Sequence, residues 1–381
     1  MTAHIIVGLG WGDEGKGITT DYLCSKFPSK AIDNNLGTVV VRYGGGQQCG
    51  HTVVHNGIKH INSNFGSGTL RGHATYFTEH CTVYLNTMQV EKEVLEDKGV
   101  VIPKMFIHPL AKITTPYDVA LNRISHINRK HGSCGLGIGA TMDRNLNSIY
   151  KLYAIDLQHP ELFKEKLRHI EKYVRDLVYS ISYLPDIDNI LDIYNGIVRN
   201  EMEMFNDAIE NHHFEIRGYD ILNNANDLIF EGNQGILLDM DHGTIPNVTF
   251  AHTTSRNAIE VCNKLGIIPE IYYVTRCYQT RHGNGWMTNE DKIELINNED
   301  EINFFNDYQL DFRIGEMDYG LLNHAINLDK IYSTNLKKNL VVTCLDQRPD
   351  FDIKLLFNSI TEPMQFKLTS HSSDSKDFLS N

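Results

Sequence analysis

The stretch Gly8-Leu9-Gly10-Trp11-Gly12-Asp13-Glu14-Gly15-Lys16-Gly17 decides the fold, because it joins an apolar run, residues 5–7, to a helix-compatible segment, residues 18–26. A strand, a glycine-rich turn and a helix N-terminus form an anion site, since free backbone N–H groups and the helix dipole converge there. The spacing is that of a P-loop, but Gly17 stands where Ser or Thr normally supplies a hydroxyl to Mg²⁺. Asp13 lies inside the loop instead. The stretch therefore predicts phosphoryl chemistry in which the loop itself carries a base or a metal ligand.

The composition is that of an acidic globular protein. The 381 residues carry a formal net charge of −13, which argues against a general nucleic-acid surface but permits a local nucleotide pocket. No segment approaches the roughly 20 apolar residues of a membrane span, and the polar start of the chain is not typical of a signal peptide. The 7 cysteines are scattered singly, which indicates reduced thiols and not a disulfide framework or a zinc site. We therefore expect a cytoplasmic protein that binds neither membranes nor nucleic acid.

Apolar runs typical of strands alternate with helical patterns along the chain. The strand-like runs cover residues 5–7, 38–41, 82–85, 227–230, 271–274 and 340–343. The helical patterns include residues 89–97, 161–180, 197–211 and 254–265. This alternation predicts an α/β fold with a large central, mostly parallel sheet flanked by helices.

The domain organisation follows from the same patterns. We expect one domain over residues 1–381, with a helical subdomain at residues 151–215, because residues 157–213 are strongly helical in pattern. The polar tail, residues 369–381, is expected to be loosely ordered apart from any part that contacts a ligand.

A second glycine-rich loop follows the second predicted strand and ends in Gly50-His51-Thr52. A histidine beside two phosphate-type loops suits a general acid, because its pKa is near neutrality. The plainer interpretation of His51 is a structural histidine in a glycine turn.

Two further stretches follow later strands. In residues 231–244 the polar side chains indicate either a solvated loop or a metal site, and the spacing does not choose between them; these side chains are Asp239, Asp241 and His242. Asp346 lies three residues after the end of the strand-like run 340–343. Its carboxylate suits recognition of N1 and N2 of guanine, or a helix N-cap.

Taken together and in this order, these stretches resemble the adenylosuccinate synthetase family. The matching segments are residues 11–17, 50–52, 231–235 with 238–249, 280–285 and 343–346. The resemblance extends over nearly the whole chain, which is shorter than the usual bacterial enzyme. It implies a ligase that joins aspartate to IMP with GTP and Mg²⁺, giving adenylosuccinate, GDP and phosphate. It also implies small-molecule substrates and a homodimer.

The resemblance also implies roles for individual residues. Asp13 would remove the N1 proton of the purine, so that O6 attacks the γ-phosphate of GTP while Lys16 and the loop amides stabilise the transferring group. His51 would hydrogen-bond or protonate the phosphate or the leaving group, and Mg²⁺ would be held by Asp13 and the carbonyl of Gly50. The GTP contacts would come from Gly12, Asp13, Glu14, Gly15, Lys16, Gly17, Gly50, His51, Thr52, Thr343, Cys344 and Asp346. The purine monophosphate would be held by Asp13, Gln48, Ser133, Cys134, Gln234, Leu238 and Thr249.

Several substrate positions depart from the family pattern. The family has Asn, two Thr and Lys at positions where this chain has Gln48, Ser133, Cys134 and Cys344. The family's arginine that reaches the neighbouring subunit's nucleotide aligns near Asn147, and Arg144 close by is a candidate substitute.

The amine-donor loop departs most. Where the family has paired threonines and a run of arginines, residues 306–318 keep only Arg313. One arginine can bind one carboxylate bidentately, whereas the second carboxylate of aspartate would lie beside Asp311 or Glu316. Arg313 is therefore the predicted donor contact, and the identity of the donor stays open.

Three hypotheses remain. The first is adenylosuccinate synthetase proper, acting on IMP. The second is a ligase of the same mechanism with altered substrates, either (d)GMP as in the viral branch or a different amine; Asp13 argues against the viral branch, which typically has Ser or Thr there. The third is a non-catalytic purine-nucleotide-binding paralogue, against which the joint presence of Asp13, Lys16 and His51 argues, because a binder needs no base and acid.

Overall fold

The computed structural model describes residues 1–27, 35–129, 134–181, 187–290, 293–296 and 311–380. Its helices are α1 (Lys16–Lys26), α2 (Leu85–Asp97), α3 (Pro116–Arg129), α4 (Ile138–Asn147), α5 (Pro160–Ile181), α6 (Ile187–Glu210), α7 (Arg256–Leu265), α8 (Tyr319–Ser333) and α9 (Ile353–Ser359). Its strands are β1 (Thr2–Gly8), β2 (Gly37–Arg42), β3 (His51–His55), β4 (Ile58–Asn62), β5 (Ala74–Phe77), β6 (Thr82–Val83), β7 (Met105–Ile107), β8 (Lys112–Ile113), β9 (Glu215–Ile216), β10 (Ala225–Gly235), β11 (Glu270–Arg276), β12 (Gln279–His282), β13 (Phe312–Gly315), β14 (Lys338–Thr343), β15 (Lys367–Ser370) and β16 (Phe378–Ser380).

Most of the strands belong to one central sheet. Within the described residues this sheet has 10 strands, in the order β16-β15-β14-β11-β1-β10-β2-β5-β7-β9. Neighbouring strands pair in parallel, apart from β15 and β16, which are antiparallel. Every residue of β2 and β14 is buried, and strands covered on both faces are continuous apolar runs in sequence. The predicted fold class, an α/β fold with a large, mostly parallel sheet, is confirmed.

The glycine-rich loop connects β1 to α1 as predicted. β1 is buried from its second residue to Gly8, and α1 begins at Lys16, directly after Gly15. Gly12 and Gly15 have positive φ angles of 107° and 98°, which glycine adopts without the steric cost of a side chain. The loop therefore turns sharply at the centre of the sheet and points the first turn of α1 back toward the strand ends.

The helices α5 and α6 confirm the helical content predicted for residues 157–213. They share an apolar core with α2 and α3, to which α5 contributes Ile170 and α6 contributes Phe205. The subdomain boundary at 151–215 stays a prediction. None of the described helices has the length and apolar character needed to cross a bilayer.

Two local predictions differ from the structure. The strand expected at residues 82–85 is limited to β6, which pairs with β8 outside the central sheet, and Leu85 already begins α2. The tail expected to be loosely ordered contains the end of β15 and all of β16, which pair at one edge of the central sheet. Ser375 of this tail also donates a hydrogen bond to the buried carboxylate of Asp21. These pairings order the segment despite its polar sequence.

Candidate active site

A cleft of about 850 Å³ opens where the parallel strands end, which is where open α/β sheets bind their ligands. Its walls are built by residues at or after the carboxyl ends of β1, β2, β10, β11, β14 and β15. The structure brings to this cleft most of the residues predicted from sequence: Gly12, Asp13, Gly15, Lys16, Gly17, Gln48, Gly50, His51, Thr52, Cys134, Gln234, Leu238, Thr249, Thr343, Cys344 and Asp346. Glu14 and Arg313 lie outside its lining, and Ser133 lies outside the described residues.

Glu14 stabilises the glycine-rich loop through hydrogen bonds to its backbone and to Lys16. Its Oε1 accepts hydrogen bonds from the backbone N–H groups of Gly10 and Gly12, at 3.0 and 2.8 Å. Its Oε2 accepts from the ammonium of Lys16, and both side chains are buried. A Cβ on Gly8 would lie 2.3 Å from Glu14 Oε2, so only glycine leaves room for this pair. In this structure the charge of Lys16 is therefore directed at Glu14.

Asp13 lies at the turn of the loop in a left-handed conformation, with φ of 63°. Its backbone carbonyl accepts a hydrogen bond from Arg276, and its carboxylate Oδ2 lies 3.0 Å from Nε2 of His282. Burial acts to raise the pKa of Asp13, but the hydrogen bond from His282 and the charges of Arg276 and Lys16 outweigh it and lower the pKa. Asp13 is therefore an ionised carboxylate at neutral pH, as both a base and a metal ligand must be.

His51 is held by a buried carboxylate that the sequence analysis did not assign. Its Nδ1 lies 2.6 Å from Oε1 of Glu231, and Glu231 also accepts hydrogen bonds from Ser67. Burial acts to raise the pKa of Glu231, but His51, Arg42 and Ser67 outweigh it and hold the pKa at about 2. An ionised carboxylate only accepts, so Nδ1 of His51 carries the proton and donates.

The charge state of His51 follows from its burial. Burial lowers the pKa of His51, although Glu231 acts to raise it. The ring is therefore neutral at neutral pH, with its proton on Nδ1 and its second nitrogen, Nε2, unprotonated. A fixed ring orientation of this kind is what a proton-transferring histidine requires.

The end of β14 forms the wall predicted to recognise guanine. Oγ1 of Thr343 donates to the backbone carbonyl of Glu14 at 2.7 Å, which ties this wall to the glycine-rich loop. Asp346 accepts a hydrogen bond from the side chain of Gln347 at 3.1 Å. The tail segment that follows β15 completes the wall with Ser372 and Ser373, so part of the predicted polar tail reaches the cleft.

The predicted purine side of the cleft is built around the end of β10. Gln234 accepts a hydrogen bond from the neighbouring Asn233 at 2.6 Å. The backbone N–H of Thr249 donates to the carbonyl of Leu238 at 2.8 Å, which places these two residues side by side. Cys134, from the segment before α4, lines the same cleft.

Arg313, the predicted donor contact, is already engaged. Its guanidinium pairs with the carboxylate of Glu290 and donates to the backbone carbonyls of Gly283 and Gly285, each at 2.9 Å. Arg281 lines the cleft, but it donates to Thr244 and to three backbone carbonyls nearby. Both guanidinium groups are therefore already hydrogen-bonded within the protein.

Arg144 does not reach outward as the sequence analysis proposed. It is buried and forms two hydrogen bonds of 2.8 Å with the carboxylate of Asp118, and it also donates to the carbonyls of Tyr150 and Ile113. That part of the hypothesis is wrong, because the guanidinium is buried and four hydrogen bonds hold it within its own chain.

Asp239, for which a solvated loop and a metal site were both open, is buried and accepts several hydrogen bonds. Its carboxylate accepts hydrogen bonds from the backbone N–H groups of Asp241, His242 and Thr253, at 2.9, 3.2 and 2.6 Å. Asp239 therefore anchors a turn. Ligand atoms of Asp239, Asp241 and His252 also lie within 4.8 Å of one another, an arrangement compatible with a metal ion, so the metal-site alternative stays open.

The chain is similar to known proteins over most of its length. Residues 5–352 match the family model described as adenylosuccinate synthetase. The adenylosuccinate synthetase of Mycoplasma mycoides is 30% identical over 347 residues, which cover 87% of this chain and 75% of that protein.

Two solved structures share the fold. The fully ligated adenylosuccinate synthetase of Plasmodium falciparum superposes with a TM-score of 0.69 at 18% identity, covering 100% of this chain and 99% of that one. The succinoaminodeoxyadenylate synthetase of cyanophage S-2L, bound to dGMP and dATP, gives a TM-score of 0.65 at 14% identity, covering 99% and 95%. The extent of the family match and the identity to its members lead to one conclusion: this chain belongs to the adenylosuccinate synthetase family of ligases.

Proposed function

We propose that the protein is a GTP-dependent ligase that joins an amino acid, aspartate, to position 6 of IMP through a 6-phosphoryl intermediate. The observation that carries this proposal is the meeting of an ionised Asp13 and a carboxylate-held His51 on one cleft, beside a glycine-rich loop. A protein that only binds nucleotides needs neither group in this arrangement. The products are adenylosuccinate, GDP and phosphate, and the reaction belongs to purine biosynthesis.

Asp13 acts first in the proposed reaction. Its carboxylate accepts the N1 proton of the purine, and the electron pair released moves to O6. O6 then attacks the γ-phosphorus of GTP, the bond to the β,γ-bridging oxygen breaks, and GDP leaves. In the second half, the amine of the donor attacks C6 and expels the O6 oxygen as phosphate, with loss of one amine proton. Phosphorylation of O6 is what makes the departing oxygen a good leaving group.

His51 responds to the charge of the nucleotide. An anionic phosphate beside Nε2 favours the protonated ring, and the ionised Glu231 behind Nδ1 stabilises that form. The protonated ring donates from Nε2 to the phosphate, and so stabilises the charge that develops during transfer. Backbone N–H groups of residues 15–17 lie at the start of α1 and supply further donors. Lys16 lies in the same turn, and its ammonium donates to the carboxylate of Glu14 in this structure.

The residues on the cleft also fit the metal that the family uses. Asp13 and the carbonyl of Gly50 would hold Mg²⁺, which when bound neutralises phosphate charge and so aids phosphoryl transfer. This pair of oxygens takes the place of the hydroxyl absent at Gly17. GTP would be selected by Asp346, whose carboxylate can accept from both N1 and N2 of guanine.

The donor is the part of the proposal with a competing candidate. Because Glu290 occupies Arg313, an aspartate carboxylate has to displace it, whereas an uncharged amine does not. If aspartate is the donor, Glu290→Gln frees Arg313 and lowers the KM for aspartate about threefold to tenfold, measured at saturating GTP and IMP. An unchanged KM for aspartate contradicts a role of Arg313 in donor binding.

The proposal is tested by incubating the protein with GTP, Mg²⁺ and either IMP, GMP or dGMP, with and without aspartate. Phosphate release and product mass are measured. Release that needs both IMP and aspartate supports the proposal. Dependence on dGMP, as expected for an enzyme acting like the cyanophage protein, or release indifferent to aspartate, refutes the assigned substrates. No release in any mixture supports a nucleotide-binding paralogue. Asp241→Asn, at an exposed carboxylate outside the cleft lining, is the control variant and should match the parent.

A further inference from the structure

The hairpin of β12 and β13 contacts the turn of the glycine-rich loop. Thr280 of β12 donates to the carbonyl of Gly12 at 2.9 Å, and His282 of β12 faces the carboxylate of Asp13. A third contact comes from Arg276, at the end of β11, which donates to the carbonyl of Asp13. Arg276 and Thr280 bind backbone carbonyls of the loop. His282 is the member that touches the reacting carboxylate.

We infer that His282 is a positioning residue for Asp13, which holds one carboxylate oxygen by a hydrogen bond so that the other faces the purine. This inference rests on the function proposed above, in which Asp13 is the base. Nε2 of His282 lies 3.0 Å from Oδ2 of Asp13. Because a carboxylate oxygen only accepts, Nε2 must be the protonated nitrogen and the donor.

Asp13 needs such support because its backbone is unusual. A non-glycine residue at a φ of 63° is in a sparsely populated region and keeps that conformation only where its surroundings impose it. A short aspartate side chain on such a backbone still rotates about its own bonds. The contacts from Arg276 and Thr280 fix the carbonyls on either side but not this rotation. A donor at Oδ2 removes it.

The imidazole of His282 is itself fixed by the neighbouring strand. His282 pairs with Phe312 across the hairpin, and their ring centroids are 5.0 Å apart. The next backbone bond, from Gly283 to the carbonyl of Asp311, is 2.8 Å long and closes the hairpin. Arg313 follows Phe312 on β13. The strand that carries the predicted donor contact therefore also sets the ring that holds the base.

Two substitutions at His282 distinguish a positioning role from a purely structural one. His282→Phe keeps an aromatic ring to pack on Phe312 but lacks the donor. His282→Gln loses the ring but offers an amide N–H that can reach the carboxylate. A positioning role depends on the donor, whereas a structural role depends on the packing. Misplacement of a reacting group by about 1 Å can cost on the order of 100-fold in rate.

The experiment compares steady-state kinetics of the parent with His282→Phe, His282→Gln and the control His252→Phe. His252 forms a similar pair with Asp241, at 3.4 Å, outside the cleft lining. We expect His282→Phe to lower kcat by about 10-fold to 100-fold with the KM for GTP changed less than about twofold, because uniform binding is retained. We expect His282→Gln to recover at least about fivefold of that loss, and His252→Phe to match the parent.

The outcomes separate this inference from the proposed function. If the parent turns over and His282→Phe is as active as the parent, the positioning role is refuted while the ligase function stands. If both His282 variants lose activity equally, or lose it together with a large rise in the KM for GTP, the side chain acts through packing and the inference is again refuted. If the parent itself turns over no purine nucleotide with GTP, the proposed function and this inference both fail.

Discussion

Replacement of Glu231 by Gln tests whether the buried carboxylate is what makes His51 catalytic. The substitution keeps the shape of the side chain and removes its charge. An amide oxygen can still accept from Nδ1 of His51, but it cannot stabilise the protonated ring as a carboxylate does. Because this orienting charge lies behind a proton-transferring histidine, its loss should lower kcat by about 100-fold or more. The KM for GTP should change far less, since the loop amides and Asp346 are untouched.

The same substitution has a cost in stability. Arg42 is buried, with its guanidinium 4.0 Å from Glu231, and removal of one partner of a buried ion pair costs about 3–5 kcal/mol. The pKa of Glu231 is lowered from 4.5 to about 2 in the folded protein, so its stabilising contribution is complete above the unfolded value and is lost as pH falls toward the folded one. By pH 4 the parent should have lost about 1 kcal/mol of that contribution. The gap between parent and variant should therefore be widest near pH 7 and narrower at pH 4.

Urea unfolding at pH 7 and pH 4, together with steady-state kinetics at pH 7, measures both effects. Asp118→Asn is the matched control, because Asp118 is also a buried carboxylate paired with an arginine, Arg144, but lies outside the cleft lining. It should lower the free energy of unfolding without a specific fall in kcat. A Glu231→Gln variant with parental kcat would refute the role assigned to the carboxylate, and a stability gap that widens toward pH 4 would refute the assigned ionisation.

Three further substitutions test other parts of the site. Asp13→Ala should abolish turnover while calorimetry still detects GTP binding, because the loop amides remain; an active variant contradicts the role as base. Asp346→Asn should raise the KM for GTP by about 10-fold to 100-fold through the loss of a charge-assisted hydrogen bond, and should reduce the preference for GTP over ITP, which lacks the 2-amino group; equal preference in parent and variant argues against guanine recognition there. Arg144→Met should lower the free energy of unfolding by about 3–5 kcal/mol with kcat retained, whereas lost activity at unchanged stability would restore a role at the nucleotide.

The central sheet could be predicted because its strands are buried on both faces. Runs such as residues 38–41 and 340–343 are apolar without interruption, and the structure places them in β2 and β14. The same signal failed at residues 82–85, because a short apolar run does not distinguish a strand from the start of a buried helix. The polar composition of the tail was also misleading, because Ser375 donates a hydrogen bond to Asp21 and the segment is ordered. That contact joins distant parts of the chain and leaves no local pattern.

In the candidate site, too, residues in local motifs could be predicted, whereas residues that act through distant partners could not. Asp13 and His51 could be proposed because each lies in a compact motif with a recognisable spacing. Glu231 and His282 lie in the family-like segments 231–235 and 280–285, but each acts through a partner that is distant in sequence. Glu231 and His51, for example, are 180 positions apart. A carboxylate directly after the predicted strand 227–230 was the available signal for Glu231. It could suggest a site residue but could not name its partner.

Gly17 shows how the phosphate loop and the histidine depend on each other. At this position a P-loop has Ser or Thr, whose hydroxyl binds Mg²⁺. Here a Cβ on Gly17 would lie 2.8 Å from Cβ of His51 and 3.3 Å from its Cα, closer than carbon atoms approach without movement of one of them. The backbone and Cβ of His51 therefore leave no room for a side chain at position 17. The loop cannot carry a hydroxyl at this position, and in the function proposed above Asp13 and the carbonyl of Gly50 supply the oxygen ligands for Mg²⁺ instead. The absent hydroxyl thus has a packing cause, and under the proposed function the aspartate in the loop supplies the oxygen ligand that the hydroxyl cannot.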